Sequence, residues 1–444
     1  MSNSSSGGSS NIPGPQSSSA GQMAATQRGP FYALKFQNFR LFFIGQLISV
    51  AGTWMQSVAQ SWLVWQVTHQ ARWLGIVNGA SALPYVVFAL WGGNVADRYS
   101  KRAVLVWTQS IAMVLAFLLS GLATNRWVPL QAWHIAAFAG ALGVVNAFNM
   151  PAQQAFVTDL VEEREAMGNA IALNSFRFNI ARVVGPLVAG QVLYLAGAPM
   201  CFALNGFSYI AVVISLLMMK LPQFEPVQRR LEMTEGLVYI WRHHALLRVI
   251  LLVGASSIFA WSVSTLFPMY ASHFHQGEKG FSAIMAVQGV GAALGAALLA
   301  ARSDKLDRNV TVYGGGALFC LLLLLLAFAR NFPLALLLLG LAGFAMIIFG
   351  MSAQIKVQEE VPDLLRGRVL AIYSLIFQGL NPLGGIEMGF LAQHLATHSL
   401  MGHHNAGAQI ATGINALICL AVLAGMVMWQ RNEHYREKYG PFTG

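Results

Sequence analysis

The stretch GNVADRYSKR, Gly93–Arg102, is a polar turn between two apolar runs, Trp73 to Val95 before it and Ala103 to Leu122 after it. Each run has the roughly 20 apolar residues that a helix needs to cross a bilayer core, where no backbone polar group can stay unpaired. The turn therefore joins two membrane-crossing helices. Arg98, Lys101 and Arg102 mark its face as the cytoplasmic one, because short cytoplasmic loops collect Lys and Arg. A related turn, RSDKLDR, Arg302–Arg308, follows the apolar run Phe281 to Ala301, with Asp304 about two hundred residues after Asp97.

Outward from these turns the same grammar covers most of the 444 residues, 56% of them hydrophobic and 10% charged. A soluble domain carries about a quarter of its residues as charge, so water is not the main solvent here. Nine further runs bring the number of predicted spans to twelve: Leu41 to Val67, Trp73 to Val95, Ala103 to Leu122, Trp133 to Ala155, Ala170 to Leu195, Pro199 to Met219, Leu246 to Ala271, Phe281 to Ala301, Val310 to Ala329, Pro333 to Ile355, Val369 to Leu391 and Ile410 to Trp429. An even number puts both termini on one side. With that side cytoplasmic, 21 of the 27 Lys and Arg lie inside and only Arg72, Arg126, Lys279 and Arg330 lie outside. The expected layout is an N-terminal tail, 1–36; a six-helix bundle, 37–220; a cytoplasmic linker, 221–245; a second six-helix bundle, 246–430; and a C-terminal tail, 431–444. The Ser- and Gly-rich start lacks the apolar core of a secretory signal and reads as disordered. Within the linker, Leu231 to Arg242 has a helical apolar spacing, although a solvated connector is the preferred reading.

The net charge of +10 does not point to nucleic acid, since the basic residues punctuate apolar runs and form no soluble patch. Cys201, Cys320 and Cys419 sit inside apolar runs without disulfide or zinc spacing. No phosphate-cradling Gly-rich loop with a following Lys is present, which argues against ATP-driven pumping, and no cofactor is expected.

A second pair of segments keeps the register of the first. GNAIALNS, Gly168–Ser175, enters span five as GRVLAIYS, Gly367–Ser374, enters span eleven, and Pro186/Gly190 and Pro382/Gly384 follow. Two halves in the same orientation, related by an axis along the membrane normal, are a repeat arrangement of secondary transporters. Gly93, Asp97, Arg98, Lys101 and Arg102 resemble the signature loop of the major facilitator superfamily. Ala181-x-x-x-Gly185-Pro186-x-x-Ala189-Gly190 is similar to its antiporter motif, with Ala at two glycine positions. Gly52-Thr-Trp-Met-Gln56, Pro151-Ala-Gln-Gln-Ala-Phe-Val, Phe178-Asn-Ile-Ala-Arg182 and Val361-Pro-Asp-Leu-Leu-Arg366-Gly-Arg resemble the enterobactin-exporter and macrolide-efflux branch, the transmembrane secretion effectors. The likeness covers about residues 31 to 430. It implies an all-α membrane fold of twelve helices in two pseudo-symmetric bundles, and export of a siderophore or drug. Span four carries no Arg or Lys, unlike the better-known proton-coupled exporters, so the resemblance does not carry proton antiport over.

Several residues are candidates for the mechanism. Asp97, with Gly93, Arg98, Lys101, Arg102 and the second-half Asp304, forms a candidate conformational latch, the carboxylate pairing with Arg98 or Arg102 or with a neighbouring helix start. In span one Gln46, Ser49, Thr53, Gln56 and Gln60 lie on one helix face, suited either to a wet substrate cavity or to interhelical bonding. Trp54, Trp62 and Trp65 offer flat apolar surface. In span five Ser175, Asn179, Arg182 and Pro186 share a face. Arg182 is deep enough that its charge costs about 3 kcal/mol or more on insertion scales, so it requires a partner, which an anionic substrate group, a helix carbonyl end or Glu387 could supply; bracing of helices beside Gly185-Pro186 is an equal alternative to substrate contact. Arg177, nearer the end, is expected to snorkel. Glu387 stands as the single acid inside a span and is the coupling candidate. His273, His275, His394, His398, His403 and His404 gather on the outer side without a metal-ligand spacing. Gly185, Pro186, Gly190 and Pro382 read as a helix-bend motif.

The leading expectation is a secondary exporter, monomeric, in the cell (inner) membrane, with a small amphipathic substrate and the proton as candidate coupling ion. An uptake carrier of the same fold and a non-transporting receptor are the alternatives; an enzyme would need a clustered set of acid, base and nucleophile that the spans lack.

Overall fold

The computed structural model describes residues 31–125, 128–161, 163–220, 233–302, 306–397 and 406–439. A short 3-10 turn, Tyr32–Lys35, leads into α1 (Gln37–Thr68), α2 (Ala71–Arg98), α3 (Lys101–Ala123), α4 (Ala132–Asp159) and α5 (Arg164–Met218). After a short helix, α6 (Met233–Arg242), come α7 (His244–Phe259), a 3-10 segment Trp261–Leu266, α8 (Phe267–His273) and α9 (Gly277–Arg302). A π turn, Val310–Gly314, opens α10 (Gly315–Leu326), and α11 (Phe332–Glu360), α12 (Asp363–Thr397) and α13 (Gly407–Tyr439) complete the chain.

Among the described residues, nine helices are long and apolar enough to cross a membrane, ten if α2, bent by 55° between Phe88 and Trp91, is one span. One of the nine, α5, holds two of the predicted spans. Its helical run breaks at Gly197, whose φ of 75° is a conformation that side chains with a Cβ rarely adopt, and Pro199 follows at once. The apolar segment Val310–Leu326 is shorter than the others and lies on predicted span nine.

Local chemistry sets the ends. Asn331 caps α11 by accepting from the Leu334 amide (2.9 Å), with Pro333 in the first turn where no amide is needed. Asp307 accepts from the amides of Asn309 (2.7 Å) and Val310 (3.3 Å) ahead of α10. Span seven is not one helix. The Ser- and Thr-rich run Ser262, Ser264, Thr265 tightens it into the 3-10 segment, with the Ser262 hydroxyl bonding back to the carbonyl of Ile258 (2.5 Å). The linker also departs from the expected connector. Met233–Arg242 is helical and packs through Gly236 onto Arg368 and Ile372 of α12, while Glu235 pairs with Arg368.

In the first half of the chain α1 and α3 pack on α5, and α2 and α3 on α4; in the second α9 packs on α11, α10 on α11 and α13, and α12 on α7 and α13. The halves meet along two seams, α2 with α12 and α5 with α9. The Ala71 amide donates to Gln393 Oε1 (2.9 Å), so the start of α2 lies beside the end of α12. This face is called the far end below. The near end is the opposite face, where α1 begins and α13 finishes beside the start of α7, with Trp429 against His244.

Candidate functional site

The close contacts across the two seams gather toward the far end. Gly75 of α2 lies so near α12 that an added Cβ would stand 2.6 Å from the Gly385 carbonyl oxygen, and one at Gly389 would stand 2.7 Å from that of Ala71. Asn78 donates to the Thr265 hydroxyl (3.0 Å) and Gln66 to Glu278 (3.1 Å) across the halves. Trp62 stacks on Phe281 at 5.9 Å, and Gly190 presses on Ser282. Toward the middle the seams thin out, with Val86 against Gly379 on one and the Arg182–Val183 backbone against Gly289 on the other. At the near end an added Cβ at Gly93, Gly168 or Gly367 would meet nothing within 4 Å. Among the described residues, the hydrogen bonds and ring contacts that join the two halves lie toward the far end, and none joins them at the near end.

The polar face of α1 divides along its length. Gln56 is buried and accepts from Asn205 Nδ2 (2.6 Å). The Thr53 hydroxyl bonds back to the Ser49 carbonyl (3.0 Å) and lies 3.4 Å from the Tyr209 hydroxyl, and Asn205 bonds Ser208 in turn. Gly52 brings these groups together, since a Cβ there would stand 2.5 Å from Asn205 Oδ1. Ser49 is buried as well. This part of the stripe bonds α1 to the second arm of α5. Gln60 alone stays half-buried and without a hydrogen-bond partner among the described residues.

Gln46 belongs to a different cluster. Its Oε1 accepts from Gln153 Nε2 (3.0 Å) and from Arg177 (3.3 Å), whose guanidinium also donates to Asn174 Oδ1 (2.7 Å) and lies 5.6 Å from the Phe42 ring centre. Arg177 is 3% exposed, so it does not snorkel; amide oxygens and an aromatic face replace water around it. Its Nε and Gln46 Nε2 are buried without partners.

Arg182 lies midway between the start of α5 and the break at Gly197. It is half-buried, with its guanidinium 5.7 Å from the Trp54 ring centre and no hydrogen bond to another described residue. Trp54 in turn meets Phe178 edge-on at 5.9 Å. The side chains of Asn179 and Ser175 lie outside the described residues.

The near-end turn holds its own half together. Lys101 pairs with Asp159 (2.6 Å) at the end of α4, and Arg102 donates to the carbonyls of Leu217 (2.8 Å) and Met219 (3.1 Å), unpaired oxygens at the end of α5. Asp97 is half-buried and bonds neither Arg98 nor Arg102, so the expected latch pairing is not made in this state. In the second copy Arg308 pairs with Glu359 (3.2 Å), joining α10 to α11 as Lys101 joins α3 to α4. Asp304 and Lys305 lie outside the described residues, as do His398, His403 and His404.

Glu387 is half-buried between α12 and α13 and accepts from Asn415 Nδ2 (2.8 Å). Pro186 and Pro382 lie inside helical runs that continue past them, and Gly185 beside Pro186 packs closely on Trp54 and Ala51. Sequence reasoning missed Asn205, Gln153 and Asn174, which complete the polar clusters, and Trp261. This Trp sits at the break of span seven, edge-on to Phe377 at 4.3 Å, with its indole N–H buried and unpaired. Asn205 and Tyr209, four apart in span six with Ser208 between them, were a readable signal.

The profile of the transmembrane secretion effectors matches residues 28–422. The staphyloferrin A transporter of Staphylococcus aureus (strain NCTC 8325 / PS 47) is 25% identical over 372 residues, which cover 82% of this chain and 92% of that protein. The multidrug efflux pump Tap of Mycolicibacterium fortuitum is 25% identical over 393 residues, 85% of this chain and 92% of that one. A crystal structure of a bacterial homolog to the human lysosomal transporter Spinster, inward-facing and unoccupied, superposes with a TM-score of 0.73 at 13% identity, over 90% of this chain and 97% of that one. Helical architecture, paired near-end turns and a profile match spanning most of the sequence agree, and the chain belongs to the transmembrane secretion effector family of the major facilitator superfamily.

Proposed function

We propose that this protein is a secondary exporter that moves a small amphipathic molecule, of siderophore or drug type, across the cell membrane by alternating access. The observation that supports this reading is the contrast between a far end where the halves touch through Gly75, Gly389 and the Asn78–Thr265 bond and a near end where Gly93, Gly168 and Gly367 face open space. Two bundles, 37–220 and 246–430, rock about the midplane, joined by the linker 221–245. The near end, which collects Arg98, Lys101, Arg102, Arg308, Arg366 and Arg368, faces the cytoplasm together with both termini. In that orientation an exporter loads cargo from inside in the state described here. Siderophore and drug enter as substrate classes from the names of the relatives, and the aromatic surfaces of Trp54, Phe178, Trp261 and Phe377 suit a molecule with a flat apolar part.

In the opposite state Asp97 would find the partner it lacks here, which keeps the latch reading open. Glu387 is the coupling candidate, and its neighbours in sequence, Gly385, Ile386 and Gly389, form the far-end seam, so a proton there sits beside the contact that must open.

The test is flux of a fluorescent drug and of a ferric siderophore in proteoliposomes of known sidedness, with and without an imposed proton gradient. Movement from the near face outward is expected. Flux only in the reverse direction makes the chain an uptake carrier, and flux that ignores collapse of the gradient removes proton coupling and Glu387 with it.

A further inference from the structure

Two arginines five residues apart on α5 point to different sides of the helix, about 140° apart at 3.6 residues per turn. Arg177 turns into the first half, where Gln46, Asn174 and the Phe42 ring surround it. Arg182 has only the face of Trp54. A cation–π contact offsets up to about 2 kcal/mol when desolvated, and it satisfies none of the five N–H donors of a guanidinium. A charge near the midplane normally faces a partner or a watery path and marks a site. Glu387 is not that partner, being bonded to Asn415 between α12 and α13.

Position supplies the second part of the argument. The backbone of Arg182 and Val183 packs on Gly289 where α5 meets α9, so this half-buried side chain starts from the seam between the halves, with no hydrogen bond to another described residue. On the α2–α12 seam Val86 packs on Gly379, two residues from Phe377 and its partner Trp261, whose indole N–H is buried and unpaired.

We propose that Arg182 is the receptor for an anionic group, a carboxylate or sulfonate, on the transported molecule, whose aromatic part lies on Trp54 and Phe178. The substrate class is thus an amphipathic organic anion, an inference that rests on the transporter reading above. The planar fork of the guanidinium can hold two oxygens of such a group at once, whereas a Lys at this site would supply only a point charge. Arg177 is a brace and takes no part in recognition.

The experiment uses the full chain in nanodiscs, with empty nanodiscs subtracted, and two fluorescent probes of similar shape: 1-anilinonaphthalene-8-sulfonate, which is anionic, and N-phenyl-1-naphthylamine, which is neutral. The wild type should bind the sulfonate more tightly than the neutral probe. Arg182→Gln should weaken the sulfonate by about tenfold or more, the loss of a charge-assisted pair, and leave the neutral probe unchanged, which also reports that the variant is folded. Arg182→Lys should recover part of the preference, and Arg177→Gln should keep it. Equal affinities in the wild type overturn the proposal even if Arg182→Gln cannot be recovered, and so does a preference lost in Arg177→Gln but kept in Arg182→Gln. Charge preference without flux in proteoliposomes would keep the anion site and sink the exporter reading; flux of cationic or neutral dyes without charge preference would do the reverse.

Discussion

The far and near ends of the molecule use the same small residue for opposite ends. At the far end glycine lets backbones touch, with Gly75 on the Gly385 carbonyl and Gly389 on that of Ala71. At the near end Gly93, Gly168 and Gly367 stand in open space. Membrane helices associate through close packing, because lipid supplies no hydrophobic drive between them, so a glycine in a seam sets how tightly that seam closes. A glycine that touches nothing in this state fits one reserved for closure in another. Under the exporter proposal the two ends are alternatives of one device, and the glycines of the far seam mark where the halves touch in this state.

Gly75→Leu should break the comparison most severely. The side chain drives into the α12 backbone, the far seam cannot close, and transport in proteoliposomes should fall by about tenfold or more, equivalent to at least 1.4 kcal/mol against the sealed state. A variant that transports normally would show that the seam is not needed. Next in size is Gln46→Leu, which strips an acceptor from both Arg177 and Gln153 deep in the first half. Leaving a buried charged donor short of a partner costs about 2 to 3 kcal/mol, to be read as a lower melting temperature in detergent, and an unchanged melt would show that the cluster does not stiffen that half. Glu278→Gln should matter less. Its bond to Gln66 crosses the far seam in an exposed place, worth under about 1 kcal/mol, and a small rise in labelling of far-end residues is the expected readout. Gly93→Leu should change stability least, within about 0.5 kcal/mol, since nothing lies against it here. It should nevertheless slow transport by blocking closure of the near end; full activity would end the reading of the two ends as alternatives.

Much of this was legible in one dimension. Every apolar stretch falls on helical structure to within a few residues at its ends, because bilayer thickness fixes the length a helix must have. The repeat of the near-end turns was visible as well, and its structural counterpart is the pair of ties Lys101–Asp159 and Arg308–Glu359. The polar face of α1 could be seen as a face, but periodicity has no means of saying what lies opposite. Asn205 and Tyr209 claim Gln56 and Thr53, and Gln153 and Arg177 claim Gln46, from positions more than a hundred residues away. Pro186 and Pro382 leave the helical runs of α5 and α12 unbroken, since the backbone groups a proline frees in a membrane helix can find other partners. The sharp break came instead at Gly197, where the positive φ is paid for by the absence of a Cβ.

Solvent class, span length, charge bias and repeat follow from the order of residues alone, because the bilayer acts on each segment separately. Which of two arginines is braced and which stands at the seam, and which glycines seal, depends on what other helices bring alongside. In a row of letters Arg177 and Arg182 differ only in their depth along the span, and the depth of Arg177 suggested an exposed end that the packed helices bury. A rotation of about 140° and the placing of Gln46, Asn174 and Trp54 around them separate their roles, and only the packed helices supply those neighbours.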